Sequence, residues 1–139
     1  MKLSFKILEH PSDLGIEAYG KSMQEVFRNA ALGLVSIVAG ASKIEPRQKR
    51  IVKLQALDRE NLMVRWLTEV LFLYDTEKFL TADFEFETLT DTSLKAGLIG
   101  EQYDESKHEL DLDVKAVTYH HLSVEDYNGD WMAQVFLDV

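Results

Sequence analysis

Residues 22–40 read SMQEVFRNAALGLVSIVAG, and this stretch predicts the first helix of the fold. Ser22 and Glu25 form the S-x-x-E pattern of a helix start, in which both side chains accept hydrogen bonds from otherwise unpaired backbone N–H groups. Apolar residues then recur at spacings of three and four, the period of a helix with one buried face. Gly40 marks the expected helix end. The apolar positions are Met23, Val26, Phe27, Ala30, Ala31, Leu34, Ile37 and Val38.

Two short alternating runs precede this helix. Apolar and polar side chains alternate in residues 2–8 and again in residues 14–19, so each run predicts a half-buried strand. The segment between them holds Pro11, Ser12 and Asp13, which are residue types that favour turns. We therefore expect the two runs to pair as a hairpin in front of the helix.

A strand, a second helix and two further strands are predicted after the first helix. Alternation indicates a strand around residues 52–56, and Asp58 is the expected N-cap of a helix over residues 59–78. Apolar residues alternate again around residues 82–87 and 94–98, which indicates two neighbouring strands.

The remainder of the chain predicts a long hairpin. Alternation from Leu110 indicates one strand that runs to about Glu125. Asn128-Gly129 is a dipeptide that favours a type I′ turn, and residues 131–138 form the expected return strand. The predicted order is therefore β-β-α-β-α-β-β-β-β in a single domain, residues 1–139. Hairpin-connected strands with two helices indicate an α+β fold, with both helices packed on mainly antiparallel sheet.

Composition excludes several classes of protein. The chain of 139 residues has no Cys, which excludes a disulfide framework, a thiolate zinc site and a Cys nucleophile. Its 24 acidic and 15 basic residues leave a net charge of −9, which argues against direct nucleic-acid binding and suits a cation or a basic partner. No apolar run reaches the ~20 residues that cross a bilayer, so we expect a cytoplasmic protein without membrane contact. The oligomeric state stays open.

Most polar positions have a simple structural interpretation. Phosphate-binding glycine motifs, G-x-S-x-G and H-E-x-x-H are all absent. His120 and His121, as neighbours on a strand, would face opposite sides and could not share a metal ion, so we expect one to be packed and one exposed. Lys115 suits a weak surface ion pair with Asp113 or a cross-strand acid. No role is assigned to Lys107 or His108. We interpret the other alternating acids as solvated strand faces: Asp83, Glu85, Glu87 and Asp111.

The C-terminus carries the most informative chemistry. The Asp138 side chain lies one residue from the α-carboxylate of Val139, and such an oxygen-rich pair suits calcium or magnesium rather than zinc. A two-residue hairpin turn would set Asp138 opposite Tyr119 and Val139 opposite Thr118. Asp13 would supply a third carboxylate if its turn meets the end of the last strand. A frayed terminus without a ligand is the alternative.

Five stretches, in order, resemble the archease family. Residues 9–20 read EHPSDLGIEAYG, close to that family's E-H-[TS]-A-D-x-G-[IV]-x-x-x-G pattern. Each stretch is weak alone, but the ordered set covers nearly the whole chain and is specific. Pro11-Ser12 stands where the family usually has Thr-Ala, which alters the turn but keeps its His, Asp and Gly. The other matching stretches are FRNAALGL (27–34), WLTEVLFLYDTE (66–77), KAVTYHHLSV (115–124) and WMAQVFLDV (131–139).

The resemblance implies a function. Archeases are small acidic cofactor proteins of the RtcB-type tRNA-splicing RNA ligase, which joins 2′,3′-cyclic phosphate or 3′-phosphate ends to 5′-hydroxyl ends using GTP and manganese. They promote guanylylation and repeated turnover of the ligase without being the catalyst. The resemblance also implies a bound divalent ion, most often Ca²⁺ with Mg²⁺ or Mn²⁺ as alternatives, held by Asp13, Asp138 and the Val139 carboxylate. Lys115 becomes a candidate partner contact, and His10 could orient Asp13.

Two other classes of function stay open. A chaperone-like module would bind many proteins rather than one partner. A stand-alone metal-dependent hydrolase built on the same carboxylates would turn over without a partner, although no general base with an orienting group is evident.

Overall fold

A computed structural model describes residues 4–9 and 13–139 of the chain. Within these residues, eight strands and two helices follow one another in the predicted order, except that one predicted strand is divided in two. Their bounds are β1 Phe5–Glu9, β2 Leu14–Gly20, α1 Met23–Ala39, β3 Gln48–Gln55, α2 Arg59–Glu77, β4 Phe79–Leu89, β5 Ser93–Gln102, β6 Ala116–Val117, β7 Ser123–Tyr127 and β8 Asp130–Asp138.

The strands form two antiparallel sheets. The first runs β1-β2-β8, and both β6 and β7 pair with the other edge of β8. The second is three-stranded, in the order β3-β5-β4. Each helix contacts strands of both sheets. The α+β class and the first hairpin are therefore confirmed.

Both helices begin where the sequence predicts. The Ser22 hydroxyl accepts a hydrogen bond from the Glu25 N–H at 3.1 Å, and the Glu25 carboxylate accepts one from the Lys21 N–H at 3.2 Å. The Asp58 carboxylate caps α2 in the same way, by accepting from the Asn61 N–H at 2.8 Å. These local bonds satisfy N–H groups that have no partner within the helix, which is why the helix starts follow from short sequence patterns.

One hydrophobic core joins the helices to both sheets. Trp66 of α2 is fully buried, donates its indole N–H to the Phe27 carbonyl of α1 at 3.0 Å, and meets the Phe84 ring of β4 edge-on at 5.4 Å. Ile16 of β2 and Val135 of β8 bring the first sheet into the same core. Opposite residues of β2 and β8 share a face, so this core contact determines which side chains of both strands face away from the helices.

The predicted strand from Leu110 to about Glu125 is wrong in its first half. Residues 110–115 belong to no strand of either sheet. The N–H groups of Asp111 and Leu112 instead bond to the Val38 and Ile37 carbonyls, at 2.8 and 3.1 Å. The last carbonyls of a helix have no partner within it, and this segment satisfies them, so alternation of side chains did not imply sheet pairing here.

The second half of that predicted strand is interrupted by a loop. The positive φ angles of Asn128 (55°) and Gly129 (92°) confirm the predicted turn, and β7 pairs with β8 in the expected register. Residues 119–122 then leave the ladder, and β6 resumes pairing with a shift of three residues. The expected pairing of Asp138 with Tyr119 is therefore wrong.

His120 and His121 are a further correction, because they lie in that loop and not on a strand. Both side chains are exposed, whereas the sequence predicted one packed and one exposed. Their ring centroids are 4.0 Å apart. A left-handed backbone at His121 (φ 51°) ends the strand alternation on which the opposite-face prediction depended.

The acidic strand positions are exposed as expected. Asp83, Glu85 and Glu87 lie on the outer face of β4, and Asp111 is exposed beyond α1. Cations of neighbouring elements pair with the β4 acids, namely Arg28 with Asp83, Lys49 with Glu85 and Lys95 with Glu87. Such exposed pairs stabilise a fold only slightly.

Candidate functional site

The pairing of β2 with β8 brings two predicted site residues to the same end of the first sheet. Leu14 opposes Leu137 in this ladder, so the next residues along the two strands are Asp13 and Asp138. Asp138 is exposed, whereas Asp13 is half-buried and its Oδ1 is fully covered. The sequence places these aspartates 125 positions apart, and the long-range register makes them neighbours.

Two further predicted site residues, Lys115 and Val139, also lie at this end of the sheet. Ala116 opposes Asp138, and the Lys115 N–H donates to the Asp138 carbonyl at 2.8 Å. Val139 follows as the residue across from Lys115, where the sequence predicted Thr118. β6 pairs with Asp138 and β2 pairs with the preceding Leu137, so the end of β8 lies in the sheet and is not frayed. We call Asp13, Asp138 and Val139 the carboxylate tip.

The Lys115 side chain is exposed beside the carboxylate tip. The expected ion pair with Asp113 is not among the ion pairs that the described residues form. The Lys115 ammonium is thus available for another anionic group. His10, the remaining predicted site residue, lies outside the described residues.

The donors at the carboxylate tip are oxygens. Within residues 4–9 and 13–139, no three His, Asp or Glu side chains come together in a group that could hold a metal ion. The tip supplies two such side chains, Asp13 and Asp138, and would need the main-chain carboxylate of Val139 as its third protein ligand. Oxygen ligands of this kind fit Ca²⁺ or Mg²⁺, which accept carboxylates and complete their shells with water.

An aromatic ring borders the tip. Phe136 lies one position before Leu137 and opposes Gly15 in the β2–β8 ladder. A Cβ atom on Gly15 would lie 2.7 Å from Cε1 of Phe136, so the ring occupies the space that a larger residue at position 15 would need. The rings of His120 and His121 meet Phe136 edge-on, with centroids 6.2 and 6.1 Å away.

A buried charge network, which the sequence did not predict, lies away from the tip. The Glu101 carboxylate accepts hydrogen bonds from the Glu45 N–H (2.8 Å), the Lys107 ammonium (2.7 Å) and His108 Nε2 (3.0 Å). The backbone bond from Glu45 and the bond from Lys107 lower the pKa of Glu101 to about 2 against the opposing effect of burial. Arg47 adds an ion pair at 3.3 Å.

His108 is fixed within this network and is not available as a catalytic base. Its side chain is fully buried, and its Nδ1 accepts a hydrogen bond from the Asp104 N–H at 2.9 Å. Nε2 therefore carries the proton that Glu101 accepts. Both ring nitrogens are engaged, so Lys107 and His108 fasten the loop after β5. The sequence could not have revealed the whole network, because Glu45 and Arg47 lie more than 50 residues before Glu101 along the chain.

Comparison with known proteins agrees with the fold. The model of the Archease protein family (MTH1598/TM1083) matches residues 5–139. The protein archease of Sulfurisphaera tokodaii is 36% identical over 97% of this chain and 98% of its own. That of Pyrococcus abyssi is 37% identical over 94% of this chain and 95% of its own. None of these names describes a catalysed reaction.

Two solved structures are also similar. Protein 1598 of Methanobacterium thermoautotrophicum has a TM-score of 0.82 at 35% identity and covers 98% of this chain and 99% of its own. An archease of Thermotoga maritima, described as a possible chaperone, has a TM-score of 0.62 at 18% identity, with 96% of both chains covered, and shows likeness of fold alone. In the part of the chain that the structure describes, neither helix has the length and apolar character to cross a membrane.

Proposed function

The chain belongs to the archease family, and we propose that it is a non-catalytic, cation-binding activator of an RtcB-type RNA ligase in tRNA splicing or RNA repair. It would promote guanylylation of the ligase and its repeated turnover. The observation that carries the proposal is the β2–β8 register, which makes Asp13 and Asp138 neighbours at the end of the sheet.

The proposed ion is Ca²⁺, with Mg²⁺ or Mn²⁺ as alternatives. Two carboxylates at the end of adjacent strands repel each other, and a third from Val139 would add to that repulsion. A divalent cation relieves it and prefers such oxygen donors. The partly covered Asp13 supports this assignment, because a desolvated carboxylate interacts more strongly with a nearby cation.

The carboxylate tip would act at the mouth of the ligase active site. Attack on GTP requires divalent ions and positive groups around the phosphates, and an acidic tip is complementary to such a surface. There the tip would deliver, position or stabilise a divalent ion while GTP is attacked. The net charge of −9 would speed the encounter and make the association rate fall with salt.

Lys115 has a separate role in this proposal. Its exposed ammonium lies beside the tip and forms no ion pair with the described acids. It would contact an anionic group of the ligase complex, such as a phosphate or a carboxylate. Its removal should therefore reduce activation without reducing cation binding.

The decisive experiment is multiple-turnover ligation of RNA ends by an RtcB-type ligase from the same organism. Wild-type protein should raise the number of turnovers per ligase, whereas Asp138→Asn should not. Asp113→Asn is the matched control, because Asp113 is also exposed on the neighbouring segment but is not one of the three residues of the carboxylate tip. Full stimulation by Asp138→Asn would contradict the proposed role of the tip.

Two control assays separate the alternative functions. The pure protein, incubated with divalent ions and phosphoester substrates, should show no turnover, whereas turnover without a partner would indicate a hydrolase. Light scattering of heat-aggregating client proteins should be unaffected by its addition, whereas broad suppression of aggregation would indicate a chaperone-like module.

A further inference from the structure

Residues 119–122 form a loop between β6 and β7, the two strands that pair with the same edge of β8. The Thr118 N–H still bonds to the Phe136 carbonyl at 3.0 Å, and Ser123 already pairs with Gln134. Residues 119–122 therefore face a single residue of β8, Val135. Insertions of this kind at a sheet edge redirect side chains and occur frequently beside functional sites.

Contacts with α2 hold the loop in a defined position. The Tyr119 hydroxyl accepts a hydrogen bond from Asn61 Nδ2 at 2.7 Å, and Asn61 Oδ1 accepts one from the Leu57 N–H at 3.0 Å. The Gln134 amide donates to the His121 carbonyl at 2.9 Å, at the residue with the left-handed backbone. A non-glycine residue in that region carries strain, which the surrounding contacts must offset.

Tyr119 of the loop and Leu57 expose apolar side chains on backbone that hydrogen bonds hold in place. Tyr119 is 59% exposed and Leu57 is 87% exposed, and both residues hydrogen-bond to Asn61, Tyr119 through its hydroxyl and Leu57 through its backbone N–H. His120 and His121 are exposed beside them and shield Phe136. Fixed aromatic side chains lose little conformational freedom on binding and are typical of residues that dominate protein interfaces.

The surroundings indicate what kind of surface could bind there. Exposed acidic residues lie near this group along the chain and the ladder: Asp58 follows Leu57, Glu125 lies three residues after the loop, and Asp138 pairs with Ala116, three residues before Tyr119. A complementary partner would offer an apolar pocket with a basic rim. The loop also follows directly on the strand that holds Asp138, so it is continuous with the carboxylate tip.

We propose that Tyr119 and Leu57 form the docking anchor through which this chain binds its protein partner, with Tyr119 inserted in an apolar pocket that basic side chains surround. This rests on the proposed function, because the partner is the ligase. In this proposal the anchor provides affinity for the ligase, and the carboxylate tip activates the ligase.

The test measures affinity and activation separately on the full chain. Binding of the purified RtcB-type ligase is titrated with fluorescently labelled wild type, Tyr119→Ala, Leu57→Ser and Asp138→Asn, and Ca²⁺ binding by each protein alone is measured by calorimetry. Tyr119→Ala and Leu57→Ser should each weaken ligase binding about tenfold or more while Ca²⁺ affinity stays unchanged. Saturating amounts of either variant should restore ligation.

Matched controls come from the same chain. Tyr127 is 58% exposed at the far end of the β7–β8 hairpin, and Ile51 is 60% exposed on β3. Tyr127→Ala and Ile51→Ser should bind the ligase as wild type does. Equal losses in these controls, or wild-type binding by Tyr119→Ala and Leu57→Ser, would overturn the anchor.

The outcomes distinguish this inference from the proposed function. If wild type binds and stimulates the ligase but the anchor variants do too with unchanged affinity, the anchor alone fails. If wild type neither binds nor stimulates the ligase, the proposed function fails and the anchor fails with it. Both proposals are supported if Asp138→Asn binds the ligase normally without stimulating it, and if the anchor variants bind weakly but stimulate the ligase at saturating amounts.

Discussion

The backbone N–H of Lys115 donates a 2.8 Å hydrogen bond to the carbonyl oxygen of Asp138. This contact joins the segment before β6 to the end of β8. β6 pairs with β8 along one edge and β2 pairs with it along the other. The backbone that carries Asp138 is therefore fixed within the sheet.

Neutralising Asp13 should weaken cation binding. Asp13→Asn keeps the size of the side chain but removes a charge from a partly covered position, so the affinity for Ca²⁺ should fall about tenfold or more. Isothermal titration calorimetry of the purified protein with Ca²⁺ measures it. Asp111→Asn, an exposed aspartate near the end of α1, should titrate like wild type. An unchanged affinity in Asp13→Asn would exclude it as a ligand.

Moving the terminal carboxylate should have a similar effect. Adding Gly-Ser after Val139 displaces the α-carboxylate by two residues and should also lower the Ca²⁺ affinity about tenfold. Val139→Ala is the control, since it retains the carboxylate and removes only side-chain carbons. Loss of binding in Val139→Ala, with none in the extended chain, would show that the side chain and not the carboxylate matters.

Replacing Lys115 should separate activation from cation binding. Lys115→Gln removes an exposed ammonium that forms no ion pair with the described acids, so the melting temperature and Ca²⁺ affinity should stay close to wild type. Ligase turnover should fall several-fold, with Lys53→Gln, another exposed lysine, as the control. Undiminished turnover would remove Lys115 from the proposed contact.

Acid should destabilise the fold partly through Glu101. Its pKa is about 2 in the folded protein against an ordinary 4.5, so its contribution is fully present above about pH 5 and is lost as the pH falls towards 2. The shift corresponds to about 3 kcal/mol at neutral pH. Urea unfolding should show Glu101→Gln less stable than wild type by about that amount at pH 7, and by only about 1 kcal/mol at pH 3.

The control for that experiment is Glu85→Gln. Glu85 is 61% exposed and paired with Lys49, and surface pairs of this kind contribute little to stability. Its variant should differ from wild type by less than about 1 kcal/mol at either pH. A constant gap between wild type and Glu101→Gln across the pH range would mean that Glu101 stabilises the fold by something other than its charge.

Two glycines of β5 should respond differently to the same substitution. A Cβ atom on Gly100 would lie 1.9 Å from the Leu80 carbonyl oxygen, whereas one on Gly97 would meet only the flexible end of Lys49. Gly100→Ala must shift backbone and should cost about 3 kcal/mol, while Gly97→Ala should stay within about 1 kcal/mol. Thermal unfolding of both variants measures the difference. Similar melting temperatures would contradict the close approach at Gly100.

Local patterns in the sequence were sufficient for the helices and most of the strands. The Ser22 and Asp58 caps and the Asn128-Gly129 turn depend on hydrogen bonds and backbone angles within a few residues, and all three are found in the structure. The alternating run after Leu110 was misleading because side-chain alternation does not determine which backbone groups pair, and Leu112 of that run is itself 44% exposed. Those backbone groups bond instead to the end of a helix more than 70 residues earlier.

The candidate site likewise combines features that the sequence provides with features that depend on long-range contacts. The sequence by itself provided the candidate ligands, namely Asp13, Asp138 and Val139 in an acidic chain, and the resemblance suggested grouping them. Only the tertiary structure decided that β2 pairs with β8 in the register that makes Asp13 and Asp138 neighbours, and that residues 119–122 leave the ladder to expose Tyr119. The physical reason is that caps and turns form between near neighbours, whereas strand register and edge loops depend on packing across the whole core.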